Sequence, residues 1–125
     1  TTVMTLIFAY TRKQAIEDGV LIDITETAKE AGLRFPTAIT AAVWSKYVAV
    51  PKGVSCQDER GRLWDIVWML HWAIIQQRVD GPMLNFQLYV RNDEEQPPRL
   101  VTLKAIVGPG DDPSPVLTIM LPHED

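Results

Sequence analysis

One segment, residues 61–77 with the sequence GRLWDIVWMLHWAIIQQ, constrains the fold of this chain more than any other. Three of the four tryptophans lie in it at intervals of four residues, which is close to one turn of an α-helix. On a helical wheel it has two faces, one with Trp64, Trp68, His71 and Ile75 and the other with Arg62, Asp65, Met69 and Gln76. The polar strip is narrow, so the pattern predicts a central helix that is buried on most sides. If Trp68 is central, its truncation to alanine is expected to cost about 3–5 kcal/mol.

Length, charge and cysteine content narrow the class of protein. A chain of 125 residues has the size of one domain, so we expect residues 1–125 to form a single unit. The net charge of −4 argues against a nucleic-acid binder, which needs a basic face to neutralise phosphates. The arginines, Arg62 among them, are scattered and are interpreted as surface charges. The single Cys56 excludes a disulfide within this chain and fits a reducing cytoplasm.

No segment predicts a membrane anchor or a signal peptide. The longest apolar run, residues 66–75, falls well short of the roughly 20 residues that a bilayer span needs. Residues 3–10 are apolar but lack the basic start and the cleavage site of a signal peptide. The sequence therefore predicts a cytoplasmic protein with no membrane partner.

The N-terminal half predicts short helices around one strand. Thr11 is a suitable N-cap for the first helix, and Gly19 is a suitable end for it. The predicted elements are a helix over 12–18, a strand over 20–24, a helix from Thr25 or Thr27 to Gly32, and a helix from Pro36 to about Val48.

The C-terminal third alternates apolar and polar residues with period two, which is typical of strands. Strands are predicted over 86–90, 100–107 and 116–121. The loops between them are short, which favours an antiparallel meander because parallel strands need a crossover of a dozen residues or more. With strand 20–24 in the same sheet, the predicted fold class is α+β. It comprises an antiparallel sheet of about four strands, packed against a tryptophan-rich central helix and shorter N-terminal helices.

Several segments of the chain resemble those of one family, among them TRKQAIEDGVLIDITE, FPTAITAAVW, QDERGRLWDIVWML, FQLYVRND and LVTLKAIVGPGDDPSPVLTIMLPHED. This is a family of small uncharacterised bacterial proteins, a domain of unknown function, whose members are often encoded on plasmids, phages and other mobile elements. The resemblance covers nearly the whole chain from about residue 7. It implies a bacterial cytosolic protein that is accessory to its host, and it carries over no activity, cofactor or catalytic residue.

Clustered carboxylates are the first candidate for chemistry. Asp111 and Asp112, beside the glycines of the GPGDD loop, are the best-placed candidates for metal ligands and for catalytic groups, with Asp58 or Asp23 as a further carboxylate. Carboxylates that converge in space would suit a metal-assisted hydrolase. The spacing matches no EF-hand loop. The alternative interpretation is that these residues cap helices and form turns, where aspartate is favoured.

His71 is the second catalytic candidate because a histidine in a pocket can act as a general base or a ligand. It can equally be a core histidine that is hydrogen-bonded to a carbonyl or carboxylate oxygen. A nucleophilic pair of Cys56 with His71 is disfavoured, because the negative charges of Asp58 and Glu59 disfavour a thiolate.

The lack of a catalytic motif favours a small interaction module that binds another protein. The mobile-element context of the resembled family adds a specific version, an anti-defence or plasmid-maintenance factor that occupies a host protein. The alternative is the metal-assisted hydrolase. A homodimer that uses an exposed strand or an apolar patch is compatible with both hypotheses. No cofactor is predicted.

Overall fold

The computed structural model of the chain describes residues 11–54, 58–77 and 81–124. Its elements in chain order are α1 (Arg12–Glu17), β1 (Leu21–Asp23), α2 (Thr25–Glu30), β2 (Thr37–Thr40), α3 (Ala41–Val43, continued as the π-helix Trp44–Val48), α4 (Glu59–Gln77), β3 (Met83–Val90), β4 (Arg99–Pro109) and β5 (Pro115–Met120). The predicted α+β class is confirmed. The predictions that concern residues 3–10 and Cys56 lie outside the described residues.

The five strands form one mixed sheet in the order β1-β2-β5-β4-β3. The predicted meander is correct, since β3 pairs antiparallel with β4 and β4 pairs antiparallel with β5. The prediction of about four antiparallel strands nevertheless missed one strand that the structure contains. That strand is β2, which lies between β1 and β5 and runs parallel to β5.

Residues 37–40 form β2 and not the first turn of the helix that the sequence predicts over 36–48. All four residues are buried, and three of them are β-branched, which suits a central strand. Ile39 lies between Ile22 of β1 and Ile119 of β5. The helix begins only after Thr40, whose hydroxyl oxygen accepts the N–H of Val43 at 3.3 Å.

The two N-terminal helices follow the predicted boundaries closely. The hydroxyl of Thr11 accepts the N–H of Gln14 while the Gln14 side chain accepts the N–H of Thr11, which is a capping box at the start of α1. The second helix begins at Thr25, but neither Thr25 nor Thr27 caps it. The carboxylate of Asp23 accepts the N–H of Thr25 instead, at 3.0 Å.

The main core lies between the inner face of the sheet and the helices α2, α3 and α4. Alternate residues of β3 point into this core, among them residues 86, 88 and 90, which agrees with the predicted alternation of period two. The helix α4 contributes a stripe that consists of Leu63, Ile66, Val67, Leu70 and Ala73. On the outer face of the sheet, Ala15 of α1 packs with Leu21 and Ala38.

Candidate interaction surface

The helix α4 exposes large apolar side chains on the side that faces away from the core. Trp68, Trp72 and Ile75 have 47%, 50% and 57% of their surface exposed. The prediction that α4 is buried on most sides is therefore wrong, and Trp68 does not meet the condition under which its truncation was expected to cost about 3–5 kcal/mol. Both sides of the helix are apolar, so hydrophobic periodicity could not indicate which side faces the core.

Aromatic rings follow one another along the exposed side of α4. The ring centroids of Trp64 and Trp68 are 6.0 Å apart with an interplanar angle of 14°, and those of Trp68 and His71 are 6.0 Å apart with an angle of 36°. These distances lie in the range of favourable aromatic pairs. Trp68 thus contacts a ring on either side along the helix, although about half of its surface meets solvent. We call Trp64, Trp68, His71, Trp72 and Ile75 the tryptophan surface.

His71, a predicted catalytic candidate, lies at the edge of this surface and packs against the end of α2. A Cβ atom on Gly32 would lie 3.0 Å from Cε1 of His71, and Gly32 has a φ of 99°. Glycine is favoured there because a side chain would crowd the His71 ring and because residues other than glycine rarely adopt this positive φ. Among the described residues the imidazole has no hydrogen-bond partner. The ring therefore contributes packing between Gly32 and Trp68.

The C-terminal part of α4 contains no Asp, Glu, Lys or Arg. Asp65 is the last charged residue of the helix, and residues 66–77 contain none. Solvent-facing helix surfaces usually carry charged residues, whereas the centres of protein interfaces are poor in charge and rich in aromatic residues. At the border of the uncharged part, burial raises the pKa of Asp65, and the nearby Arg62 lowers it.

An apolar cavity of about 460 Å³ borders the tryptophan surface at His71. Its walls come from α4, the connection between α2 and β2, and the strands β3, β4 and β5. Four of its large apolar lining side chains are themselves exposed, namely Phe35, Ile74, Met83 and Val107. The exposed apolar area thus extends from α4 onto the end of the sheet.

Arg62 anchors the N-terminal end of α4 and is buried, although the sequence indicated a surface charge. Its Nε donates to the carbonyl oxygen of Tyr47 at 3.0 Å, and its Nη1 donates to the carbonyl oxygen of Arg91 at 2.7 Å. A third bond, at 2.5 Å, joins Nη2 to the side-chain oxygen of Asn92. Burial lowers the pKa of this guanidinium, and Asp65 acts in the opposite direction. The side chain connects α4 to α3 and to the end of β3, which fixes the side that α4 turns outward.

The predicted metal ligand Asp111 caps α1 in the structure. Its carboxylate oxygens accept the N–H of Arg12 at 2.6 Å and the N–H of Lys13 at 3.0 Å. Burial lowers the pKa of the Arg12 guanidinium, while Asp23 and Asp111 raise it. Both carboxylates therefore lie near one arginine, which compensates their charge.

Asp112 and Asp58 also form local turns. Asp112 accepts the N–H of Ser114 at 2.8 Å, and Asp58 accepts the N–H of Gly61 at 2.6 Å at the start of α4. In residues 11–54, 58–77 and 81–124, no three His, Cys, Asp or Glu side chains form a group that could hold a metal ion. The metal-assisted hydrolase stays a prediction. It would be tested by comparing the melting temperature of the protein in Mg²⁺ with that in EDTA.

A protein family matches residues 2–125, nearly the whole chain. The chain belongs to the family of unknown function DUF6573. The resemblance seen in the sequence to a domain of unknown function is thereby confirmed. No curated protein and no solved structure matches this DUF6573 chain. None of the helices in its described part has the length and apolarity needed to cross a bilayer.

Proposed function

We propose that this DUF6573 protein acts by binding another protein through the tryptophan surface of α4. The supporting observation is that Trp68, Trp72 and Ile75 are about half exposed on a helix segment that has no charge. Monomeric proteins rarely expose large contiguous apolar patches, and such patches commonly mark interaction sites. Tryptophan is also among the residues that contribute most binding energy at the centres of interfaces.

The spacing of the surface fits a helical partner. Trp64, Trp68, His71 and Ile75 follow one another at intervals of four, three and four residues. This is the spacing of the positions that meet a second helix in a coiled coil. The row spans about 16 Å along the axis of α4, which matches about three turns of a partner helix. We therefore propose an amphipathic helix of the partner as the segment that binds.

The surface is organised before the partner arrives. Arg62 joins one end of α4 to Tyr47, Arg91 and Asn92 through hydrogen bonds, and the rings of Trp64 and Trp68 stack on each other. Side chains that are already ordered lose less conformational entropy on binding. This order supports a binding role, because no other use of the exposed indoles is evident in the described residues.

We further propose that the protein is a small cytosolic accessory factor of a bacterial mobile element and that its partner is a host protein. An anti-defence or plasmid-maintenance role is the specific version of this proposal. Its support is the context implied by the family resemblance, which is an association and not a property of the surface.

The test compares protein capture by matched variants. Wild-type protein, the double variant Trp68→Ala/Trp72→Ala and the control Val20→Ala are immobilised and exposed to the same bacterial lysate. Val20 is a suitable control because it is exposed to a similar extent but lies between α1 and β1, outside the surface. Quantitative mass spectrometry then compares the proteins retained by each, after circular dichroism has shown that all three are folded.

The proposal predicts a protein that the wild type and Val20→Ala retain and that the double variant loses. Binding of a synthetic peptide from its amphipathic helix, measured by calorimetry, would confirm the helical mode. Retention of the same proteins by all three baits would contradict a role for the tryptophan surface.

A further inference from the structure

Within the described part of the chain, the strand β3 forms an edge of the sheet that lacks the usual protection. Its only neighbour among the described strands is β4. It is eight residues long, MLNFQLYV, and contains no charged residue, proline or glycine. Natural edge strands are commonly short, charged, interrupted by proline or covered, because an open edge pairs readily with another strand. The opposite edge shows such protection, since β1 has three residues and ends at Asp23.

The pairing of β3 with β4 shows which residues direct their backbone N–H and C=O groups toward the open side of β3. The N–H of Val107 donates to the carbonyl oxygen of Pro82 at 2.8 Å, so the groups of Pro82 point toward β4. Successive residues of an antiparallel strand direct their N–H and C=O groups alternately to the two sides. The groups that face the open edge therefore belong to Met83, Asn85, Gln87 and Tyr89.

We propose that this edge pairs antiparallel with the same edge of a second copy of the chain, about a twofold axis at Phe86. In this register Met83 lies opposite Tyr89 of the second copy, and Asn85 lies opposite Gln87 of the second copy. Every open N–H and C=O of these four residues then has a partner. Both sheets join into one continuous sheet, which is the strand-addition mode of association.

The side chains of the edge favour a second copy as the occupant. Met83 and Tyr89 are 51% and 67% exposed on the outer face, and pairing brings the thioether of one copy beside the ring of the other. Asn85 and Gln87 place an amide opposite an amide, and amides can donate and accept reciprocally. No like charges meet, although each copy carries a net charge of −4.

The experiment measures the mass of the whole chain by light scattering and sedimentation over a wide concentration range. Gln87→Pro removes a donor from the open side and leaves the ladder to β4 intact. Gln87→Lys places a charge on the edge, and Thr102→Lys is its matched control, because Thr102 faces Gln87 from the neighbouring strand β4 on the same side of the sheet. Trp68→Ala is measured alongside, because a dimer formed through the tryptophan surface would respond to it.

We expect wild-type protein and Thr102→Lys to dimerise alike, and Gln87→Pro to weaken the dimer by about tenfold or more. Hydrogen exchange provides a second measurement if Gln87→Pro fails to fold. In the wild type, the amides of residues 83, 85, 87 and 89 are expected to gain protection as concentration rises. A wild type that stays monomeric overturns the proposal. A dimer that Gln87→Pro leaves unchanged, or that only Trp68→Ala dissociates, also overturns it. The first two of these outcomes leave partner capture by the tryptophan surface unaffected, whereas a dimer that only Trp68→Ala dissociates would assign that surface to a second copy of the chain.

Discussion

The two sides of α4 have similar hydrophobicity and opposite environments. Ile66, Val67 and Leu70 are fully buried against the sheet and the neighbouring helices, whereas Trp68 and Trp72 are about half exposed. The difference lies in shape and hydrogen bonding. Aliphatic side chains fill the space above a pleated sheet without leaving polar atoms unpaired. An indole N–H needs a partner when it is buried, so a row of tryptophans is more easily accommodated at a boundary with solvent.

This comparison separates a side that supports stability from a side that is available for binding. On the inner side, apolar area is removed from water on folding and contributes to the free energy of unfolding. On the outer side, much of the apolar area stays in water and is removed only when another molecule covers it. Substitutions on the two sides of one helix should therefore affect different measurements.

The largest effect is expected from Leu70→Ala on the inner side. Leu70 has no exposed surface, so its truncation leaves a cavity in the main core. We expect the free energy of unfolding to fall by roughly 3–5 kcal/mol. Urea denaturation followed by circular dichroism measures this, and a loss below about 1 kcal/mol would contradict the assignment of the inner side.

The second effect concerns the residue that fixes the orientation of the two sides. Arg62→Met keeps much of the apolar volume but removes the donors to the carbonyl oxygens of Tyr47 and Arg91. We expect a loss of about 2–3 kcal/mol, because carbonyl groups are left without partners. Arg62→Lys should restore only part of it, since an ammonium group cannot reproduce the planar fork. Full recovery of wild-type stability in Arg62→Lys would show that the planar geometry of the hydrogen bonds does not matter.

A smaller effect on stability is expected from Trp68→Ala on the outer side. Because 47% of the side chain is already exposed, we expect a loss of about 1–2 kcal/mol, below that of Leu70→Ala. Its stacking on Trp64 accounts for part of this loss. The same denaturation experiment makes the comparison. If Trp68→Ala were more destabilising than Leu70→Ala, the assignment of the inner and outer sides of α4 would be contradicted.

The smallest effect is a dependence on pH at Asp65, on the border between the two sides. Burial raises the pKa of Asp65 in the folded protein, so the folded state binds a proton more tightly than the unfolded state. Its contribution to stability therefore falls as pH rises from the unfolded value of about 3.9 through the higher folded value. Asp65→Asn removes this dependence, and at neutral pH we expect it to be more stable by less than about 0.5 kcal/mol.

Comparing melting temperatures of wild type and Asp65→Asn at acid and neutral pH tests this. A stability difference that stays constant across the pH range would mean that folding does not shift the pKa of Asp65.

Patterns within single elements could be predicted from the sequence because their causes are local. The capping box at Thr11 depends on residues three positions apart, and the alternation in β3 depends on neighbours in the same strand. The turn role of Asp112 is local in the same way and was among the interpretations that the sequence allowed. The length and helical character of α4 also followed from its own periodicity.

Features that depend on residues distant in the chain could not be predicted in this way. Strand β2 exists because β1 and β5 lie on either side of it, and its four residues are too few to be distinguished, from the sequence alone, from the start of the helix that follows them. Arg62 is buried because carbonyl groups from α3 and from the end of β3 meet at its guanidinium. Asp111 caps a helix that begins almost one hundred residues earlier in the chain.

The sequence by itself therefore determined that α4 is a helix with apolar residues on both sides and that a β-rich third follows it. Only the tertiary structure decided which of the two sides faces the core. A helical wheel reports which residues share a side, whereas burial depends on the surface that side meets. Here that surface is the mainly aliphatic inner face of the sheet, and Arg62 of α4 joins the start of the helix to α3 and to the end of β3, so the tryptophans face outward.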